Sequence, residues 1–353
     1  MQPHSIVQQD IETIVKIVGT DLNRLQGKRL FITGGTGFIG TWLLETISRL
    51  NEGWEHPCIV YVLTRNPQAF AHKMPHLAAR SEFLFLQGDI SSFEYPDHAC
   101  DLIIHAAAPV EPKIVNKNPL DVAETIVNGI RRVLKLASIK QVESFMYISS
   151  GAVYGSQPAE LERIPENYQG APDISSFRSA YGEAKRYGEV LCALYFQRLA
   201  VPVRIVRPFT FVGCYQNLDS GFAVTDFIKN SLCGLPIEIQ GDGTPIRSYC
   251  YSADLTIALL KILLGGRAGR AYNVGSEDGI SIRELAQRIV AITGATVEIK
   301  VMQPTQEGRK PASYVPDISR LRTELDYEPH YSLDESLKRT ISWAQNVCLS
   351  TTK

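Results

Sequence analysis

The sequence predicts an α/β protein built on a parallel β-sheet with helices on both faces. Short runs rich in β-branched and aromatic residues alternate with longer segments in which apolar residues recur at helical spacing. The first such run is followed directly by a glycine-rich stretch and then by a helical pattern. Strands that alternate with helices form parallel βαβ units, because a parallel connection has to cross one face of the sheet.

Six apolar runs are predicted to be strands, and each is short enough for a buried strand. They lie at 29–33, 59–63, 83–86, 102–104, 145–148 and 203–206. Helical spacing predicts helices at 42–50, 122–137, 282–292 and 333–344. An amphipathic helix at 11–25 precedes the first strand, and the sequence leaves open whether it packs on its own domain or on a partner subunit.

The chain is expected to form a helical extension and two lobes. Residues 1–26 form the N-terminal extension, and 27–210 form a Rossmann-type, doubly wound dinucleotide-binding domain. From about residue 211 the elements become shorter and the loops richer in Gly, Asp and Pro. Residues 211–353 are therefore predicted to form mainly a smaller C-terminal α/β substrate lobe, with part of the chain returning to the first domain near Leu255.

Composition excludes several classes of function. The 353 residues carry a formal net charge of -1, which gives no reason to expect nucleic acid or an anionic membrane as a partner. The seven cysteines have irregular spacing without a C-x-x-C pair, so neither a metal site nor a disulfide framework is expected.

The chain shows no targeting or membrane-spanning pattern. The N-terminus lacks a cationic flank followed by a long apolar run, and no apolar stretch reaches ~18 residues. A cytoplasmic location is the default expectation.

A glycine-rich loop follows the first predicted strand. Gly34, Gly37 and Gly40 have the spacing G-x-x-G-x-x-G at a strand-to-helix junction. The first glycine permits a tight turn, the second lets backbone N–H groups approach a pyrophosphate, and the third lets helix and strand pack closely. The sequence therefore predicts dinucleotide binding by the loop, whose candidate contacts are Gly34, Thr36, Gly37, Phe38, Ile39 and Gly40.

The end of the second strand bears on the choice of cofactor. An acidic residue there would bind a ribose 2′-hydroxyl and repel a 2′-phosphate. This chain has Thr64-Arg65-Asn66, and Arg65 is as readily a solvated surface residue as a ligand of the 2′-phosphate. The missing acid favours NADP(H), and NAD(H) remains possible.

Residues after the third and fourth strands are further candidates for cofactor contact. Asp89 and Ile90 are predicted to lie near the adenine. Ala106 and Ala107 are small residues where a backbone would approach the cofactor. Packing or turn formation would explain both pairs equally simply.

Tyr181 and Lys185 form the candidate catalytic pair. Residues four apart share a helix face, and an ammonium near a phenol lowers the phenol pKa. Such a tyrosine can exchange a proton with a substrate oxygen near neutral pH. The pair follows the fifth strand and Ser149-Ser150, so a serine hydroxyl is available for the same oxygen.

Taken together, these motifs resemble the extended short-chain dehydrogenase/reductase family, in the branch that modifies nucleotide sugars. The resemblance covers about residues 28–343 and leaves out the N-terminal helix. The matching segments are 34–40, 149–155 (SSGAVYG), 181–185, 207–209, 241–255 (GDGTPIRSYCYSADL) and 272–275.

The resemblance implies a role for each matching residue. Tyr181 would be the acid/base, Lys185 would lower its pKa and hold the nicotinamide ribose, and Ser150 would assist. Pro208 would flank the nicotinamide, and Asn128 would support Lys185 directly or through water. On the substrate side the resemblance implies Arg247 and Arg309 as ligands of the diphosphate, although 307–310 could simply be an exposed loop. Thr210 stands where many members have a substrate-contacting Asn. The implied partners are a nucleotide-diphosphate sugar and a second copy of the chain in a homodimer.

The two residues after Ser150 bear on the reaction type. The resemblance implies that 4,6-dehydratases of this branch have an Asp-Glu pair at these positions, which carries out the elimination. It implies that the uronic acid decarboxylases have a Glu beside the strand end. This chain has Gly151 and Ala152, which cannot move a proton. Dehydration and decarboxylation therefore become the less favoured alternatives, for which another loop would have to supply the acid, and Tyr181 is predicted to be the only proton-handling group at the reacting carbon.

Two activities remain, besides a non-catalytic NADP(H)-binding module, which the intact Ser150, Tyr181 and Lys185 disfavour. An NADPH-dependent 4-ketoreductase would reduce a nucleotide-linked 4-keto-6-deoxyhexose, and Arg65 favours it. A 4-epimerase with retained NAD is the alternative, because SSGAVYG is also close to the epimerase pattern.

Overall fold

The computed structural model describes residues 4–305, 308 and 310–351, with side chains described up to residue 346. The fourteen strands of this part of the chain are β1 (Arg29–Thr33), β2 (Ile59–Thr64), β3 (Phe83–Gln87), β4 (Leu102–His105), β5 (Ser144–Ile148), β6 (Val203–Pro208), β7 (Phe211–Val212), β8 (Ile237–Ile239), β9 (Ile246–Ser248), β10 (Cys250–Tyr251), β11 (Arg270–Val274), β12 (Gly279–Ser281), β13 (Ile299–Val301) and β14 (Ser313–Tyr314).

Helices connect most of these strands. The α-helices of the described residues are α1 (Ser5–Val18), α2 (Phe38–Asn51), α3 (Pro67–Lys73), α4 (Pro75–Ala78), α5 (Pro112–Lys117), α6 (Pro119–Lys140), α7 (Ala180–Leu199), α8 (Ala223–Leu232), α9 (Ser252–Gly265), α10 (Ile282–Thr293), α11 (Ser319–Leu325) and α12 (Leu333–Thr351). Three short 3-10 helices lie at Gly19–Leu25, Gly151–Tyr154 and Phe177–Ser179.

The main sheet has seven parallel strands in the order β11-β6-β5-β4-β1-β2-β3. Sequence order reverses between β1 and β4, which is the switch point of a doubly wound Rossmann-type fold. The central strands are almost wholly buried because helices cover both faces, and this explains their continuous apolar runs. The predicted α/β fold class is confirmed.

The seventh strand comes from far along the chain. Strand β11 pairs with β6, and the almost fully buried helix α9 precedes it. The chain thus returns to the main sheet after its first excursion into the second lobe. That lobe is built from small sheets, in the orders β12-β9-β14 and β13-β8, with α8, α10 and α12 around them.

The N-terminal helix packs on its own chain. It begins at Ser5 and ends at Val18, and the predicted stretch to Leu25 continues as a 3-10 helix. Its apolar side joins the main core, and its one acidic side chain on that side, Asp10, is fully buried. Asp10 accepts hydrogen bonds from Tyr251 Oη at 2.6 Å, Tyr331 Oη at 2.9 Å and Arg339 Nη1 at 3.0 Å. These bonds connect the extension to the second lobe.

Candidate functional site

The glycine-rich loop forms a tight, closely packed turn between β1 and α2. Gly34 has φ +71°, and a Cβ atom there would lie 2.8 Å from the Ala106 carbonyl carbon. A Cβ atom on Gly40 would overlap the backbone of Gly35, so strand and helix approach too closely for any side chain. Gly37 is the N-cap of α2, which places the helix N-terminus at the loop. Helix α2 begins at Phe38, four residues earlier than the sequence predicts. The predicted contacts Thr36, Phe38 and Ile39 therefore lie at the junction of loop and helix.

The residues that follow β4 pack directly behind this loop. The backbone N–H groups of Ala106 and Ala107 donate to Thr33, to its carbonyl at 3.1 Å and its hydroxyl at 3.2 Å respectively. The Thr33 hydroxyl also lies 2.7 Å from His105 Nδ1. Burial lowers the pKa of His105 to about 3, so its ring is neutral and serves packing.

The remaining predicted cofactor contacts surround the same end of the sheet. Arg65 is exposed just after β2, and the following Asn66 caps α3 by accepting from Ala69 N at 2.9 Å. Asp89 is exposed after β3, and its carboxylate accepts a hydrogen bond from Ser91 N–H at 2.9 Å. Hydrogen bonds from the Ser91 hydroxyl and from this N–H lower the pKa of Asp89. Ile90 is buried beside it.

The structure brings Ser150, Tyr181 and Lys185 together. Ser150 follows β5, and its hydroxyl accepts from Ala152 N–H at 3.1 Å. Tyr181 and Lys185 lie one turn apart near the start of α7, with Lys185 Nζ 6.0 Å from the centre of the Tyr181 ring. The Lys185 ammonium donates to the Ile148 carbonyl at 2.7 Å. A side-chain hydrogen bond with Ser150 places the serine next to the Tyr181 phenol.

The pKa of Tyr181 differs from the sequence prediction. Burial raises it to about 12, and a hydrogen bond with Ser150 opposes only part of this rise. Burial also lowers the pKa of Lys185 to about 7, so its positive charge is weakened where the phenol needs it. Burial and the Ser150 hydrogen bond are the influences on the pKa of Tyr181 in this structure, and the expectation that Lys185 lowers this pKa stays a prediction.

Direct support of Lys185 by Asn128 is not seen among the described residues, and support through water stays a prediction. Asn128 lies on the exposed side of α6, while Ile126 occupies the buried side that packs against Ala184 of α7. A two-residue shift along a helix rotates a side chain by about 200°. Among the hydrogen bonds of the described residues, the one that Lys185 donates goes to the Ile148 carbonyl.

A buried ion pair lies directly beneath the site. Glu189, one turn after Lys185, accepts from Arg207 Nε at 2.9 Å and from Nη2 at 2.5 Å. Ser149 donates to the same carboxylate at 2.6 Å. Arg207 Nη1 in turn donates to Tyr154 Oη at 2.6 Å. The pair ties β5, β6 and α7 together, and the sequence motifs did not reveal it.

Tyr314 is a site residue that sequence reasoning missed. A Cβ atom on Gly151 would overlap the Tyr314 hydroxyl, and Ser150 forms a hydrogen bond that influences the Tyr314 pKa. Tyr314 lies more than a hundred residues after Tyr181 and belongs to no recognised motif. The only signal in the sequence was Gly151 itself, whose missing side chain leaves room for another group.

The predicted substrate contacts begin at the end of β6. Pro208, a predicted cofactor contact, is the buried last residue of this strand, and Thr210, a predicted substrate contact, lies two residues beyond it with its carbonyl accepting from Cys250 N–H at 3.0 Å. Arg247 on β9 is half-buried, and Nη1 donates to the Ile246 carbonyl at 2.8 Å. Burial lowers the pKa of Arg247. Arg309 lies outside the described residues.

Two cavities border this region. One of about 310 Å³ is lined by Tyr181, Ala152 and the loop around Pro172. The other, of about 540 Å³, lies between α8, Lys113 and the 238–245 segment that leads into β9. The larger volume is within the usual range of small-molecule sites.

The described residues contain neither a cluster suited to a metal ion nor a helix suited to crossing a membrane. Within them, no group of three or more His, Cys, Asp or Glu side chains is arranged to hold a metal ion. Six cysteines whose side chains are described are all unpaired with another cysteine. None of the described helices combines the length and apolar character needed to span a bilayer.

The chain is similar to a known protein family and to proteins named for their action on nucleotide sugars. Residues 30–275 match the family model described as NAD-dependent epimerase/dehydratase. UDP-glucuronic acid decarboxylase 3 of Arabidopsis thaliana is 30% identical over 310 residues, covering 88% of this chain and 86% of that protein.

Solved structures with the same fold were also found. UDP-glucuronic acid 4-epimerase from Bacillus cereus, in complex with UDP-glucuronic acid and NAD, aligns with a TM-score of 0.77 and 24% identity over 90% of this chain and 99% of its own. DesIV, a dTDP-glucose 4,6-dehydratase from Streptomyces venezuelae with NAD bound, aligns with a TM-score of 0.77 and 25% identity over 90% and 97%.

Proposed function

Because the chain belongs to the NAD-dependent epimerase/dehydratase family, we propose that it is an oxidoreductase that transfers hydride at one ring carbon of a nucleotide-diphosphate sugar. The observation that supports this best is the group formed by Ser150, Tyr181 and Lys185, beside which positions 151 and 152 carry no ionisable side chain. A nicotinamide supplies the hydride chemistry, and Tyr181 exchanges the proton of the substrate oxygen.

The roles of the surrounding residues follow from their positions. The 34–40 loop and the N-terminus of α2 hold the pyrophosphate, with Ala106 and Ala107 behind the loop. Asp89 and Ile90 border the adenine end, and Pro208 borders the nicotinamide. Ser150 assists Tyr181 at the reacting oxygen.

The preferred reaction is NADPH-dependent reduction of a 4-keto-6-deoxyhexose nucleotide. Arg65 is exposed after β2, and no carboxylate follows that strand to repel a 2′-phosphate. Although a 30% identical relative is named a decarboxylase, the glutamate that the family resemblance implies for decarboxylation is absent at positions 151 and 152.

A 4-epimerase with retained NAD is the second candidate. It is supported by the likeness in fold to a UDP-glucuronic acid 4-epimerase solved with NAD. The two activities need the same groups at the reacting carbon, so the cofactor distinguishes them.

The test identifies the cofactor and the product. Anaerobic denaturation of the purified protein releases any retained nicotinamide, and stoichiometric NAD would exclude the reductase in favour of the epimerase. Incubation with NADPH and 4-keto-6-deoxy sugars carried on uridine, thymidine, guanosine or cytidine diphosphate should consume NADPH. No consumption with all four carriers would contradict the reductase, and release of CO₂ from UDP-glucuronic acid would contradict chemistry at one carbon.

Arg65→Ala should weaken NADPH binding and leave NADH binding unchanged. A charge-assisted hydrogen bond contributes ~1.5–3 kcal/mol, so the Kd for NADPH should rise about 10- to 100-fold. Fluorescence titration with both cofactors measures this effect. Arg131→Ala, an exposed substitution on α6, is the matched control. Equal changes for NADPH and NADH in Arg65→Ala would contradict 2′-phosphate recognition.

The second lobe supplies the substrate contacts in this proposal. Arg247 binds the diphosphate with a guanidinium that suits paired phosphate oxygens, and Arg309 is proposed as its partner. The 540 Å³ cavity beside the 238–245 segment takes the nucleoside, and Thr210 contacts the sugar side.

A homodimer is proposed through α6 and α7. Tyr187, Val190 and Leu194 share one side of α7 and are 44%, 50% and 48% exposed. An apolar stripe of this kind is typical of a helix that packs against another copy. Light scattering after gel filtration should give the mass of a dimer, and Val190→Lys should give a monomer. A wild-type monomer would contradict the proposal.

A further inference from the structure

Tyr314 belongs to the second lobe but reaches the centre of the catalytic group. Strand β14 runs parallel to β9, and Tyr314 pairs in register with Arg247. Its hydroxyl occupies the space in which a side chain at Gly151 would begin, and a Cβ atom there would also lie 2.8 Å from the Phe209 ring. Glycine at position 151 is thus what allows the Tyr314 hydroxyl to stand next to Ser150.

Several contacts hold the Tyr314 phenol in place. Its ring packs on Phe209 with ring centres 4.5 Å apart and planes at 30°. The next residue, Val315, donates its N–H to Gln157 Oε1 at 2.9 Å, and its carbonyl accepts from Ile164 N–H at 2.8 Å. Because backbone and ring are both fixed, the hydroxyl has little freedom to turn away from the site.

The hydrogen-bonding capacity of Ser150 limits what its proton can do. A serine hydroxyl has one proton to donate and two lone pairs that accept. One lone pair of Ser150 accepts from Ala152 N–H at 3.1 Å. Hydrogen bonds link Ser150 with both Tyr181 and Tyr314. If Tyr314 donates to the second lone pair, both acceptor positions of Ser150 are occupied. Ser150 can then interact with Tyr181 only by donating its own proton.

We propose that Tyr314 is a positioning residue of the reaction: it donates a hydrogen bond to Ser150 and so directs the Ser150 proton towards the phenol oxygen of Tyr181. This inference rests on the oxidoreductase function proposed above. Burial raises the pKa of Tyr314, so its hydroxyl stays protonated and can act as a donor near neutral pH.

The same residue connects proton positioning with the substrate lobe. The Arg247 guanidinium carbon lies 5.8 Å from the centre of the Tyr314 ring, and the two residues face each other across β9 and β14. The strand pair that carries the proposed diphosphate ligand therefore also sets the orientation of the catalytic serine.

Tyr314→Phe keeps the ring and removes only the hydroxyl. The expected result is a kcat about tenfold lower, equivalent to ~1.4 kcal/mol of transition-state free energy, with an unchanged KM. The Ser150 proton stabilises the Tyr181 phenolate, so losing its orientation raises the Tyr181 pKa. The limb of the kcat profile that belongs to Tyr181 should move to higher pH. An unchanged profile would overturn the proposal.

A double variant shows whether Tyr314 acts through Ser150. In a Ser150→Ala background, Tyr314→Phe should have no further effect on kcat, since the hydroxyl that it positions is gone. Effects that multiply would mean that Tyr314 acts independently of Ser150 and would overturn the proposal. Tyr168→Phe, a half-buried tyrosine of the same aromatic cluster, is the matched control and should leave kcat unchanged.

A titration without turnover separates this inference from the proposed function. The difference in phenolate absorbance between the wild-type protein and Tyr181→Phe isolates the ionisation of Tyr181. Repeated in the Tyr314→Phe background, its midpoint should lie at higher pH, and an identical midpoint would overturn the proposal. A wild-type protein that acts on no nucleotide sugar would contradict the proposed function, while this titration would still decide the role of Tyr314.

Discussion

Tyr181→Phe is expected to lower turnover by ~10²–10⁴-fold while nicotinamide binding stays unchanged. The phenol is the group that exchanges a proton with the reacting oxygen, and Gly151 and Ala152 offer no ionisable substitute. Since burial raises the Tyr181 pKa to about 12, this phenol is protonated near neutral pH and acts first as a proton donor, as ketone reduction requires. Steady-state rates with the substrate found active, together with cofactor titration, measure the two quantities.

The control for this substitution lies on the same helix. Tyr195 is a partly buried tyrosine of α7, and it packs against the core on the side of the sheet opposite the N-terminal helix. The Tyr195→Phe variant loses only this hydroxyl, and its turnover should equal that of the wild-type protein. A loss below about tenfold in Tyr181→Phe would show that another group supplies the proton.

Arg207→Met is expected to lower the free energy of unfolding by ~3–5 kcal/mol, because it leaves the Glu189 carboxylate buried without its cation. The side chains of Arg207 and Glu189 are only 14% and 10% exposed. Ser149 can still donate to the carboxylate, but one neutral donor does not replace a paired guanidinium. Urea unfolding measures the lost free energy of unfolding, provided that its dependence on urea concentration is the same in the variant and the wild-type protein.

Two variants test the assignment to the buried pair. Lys28→Met breaks an exposed ion pair with Glu143, at 2.6 Å, and should cost only ~0–1 kcal/mol. The double variant Arg207→Met with Glu189→Leu should recover part of the stability, because no unpaired charge remains. A cost below ~1 kcal/mol for Arg207→Met alone would contradict the argument.

Local sequence patterns predicted the strands and helices whose formation depends on residues close together along the chain. The strands 29–33 and 59–63 are visible as apolar runs because a parallel strand is buried on both faces. Their lengths differ from the structure by no more than one residue. The helix after the glycine-rich loop was predicted to start at 42, but α2 begins at Phe38, directly after the Gly37 cap, so the last part of the glycine-rich stretch is already helical.

Residues whose role depends on a helix face or on a distant strand were predicted less well. Asn128 matched a motif by position, but its place on the helix turns it away from Lys185. The spacing of Tyr181 and Lys185 predicted a lowered phenol pKa, whereas burial raises the pKa of Tyr181 and lowers that of Lys185. Spacing does not reveal how much water a group loses on folding.

The sequence by itself determined the doubly wound sheet, the glycine loop at its switch point and the membership of Ser150, Tyr181 and Lys185 in one group. Each of these depends on local periodicity or on short spacing, which survives in a linear pattern. Only the tertiary structure decided that Tyr314 stands over Gly151, that Glu189 pairs with Arg207 and that the N-terminal helix packs on its own chain. These contacts join segments far apart in sequence, and their geometry is set by how the two lobes and the helices pack together.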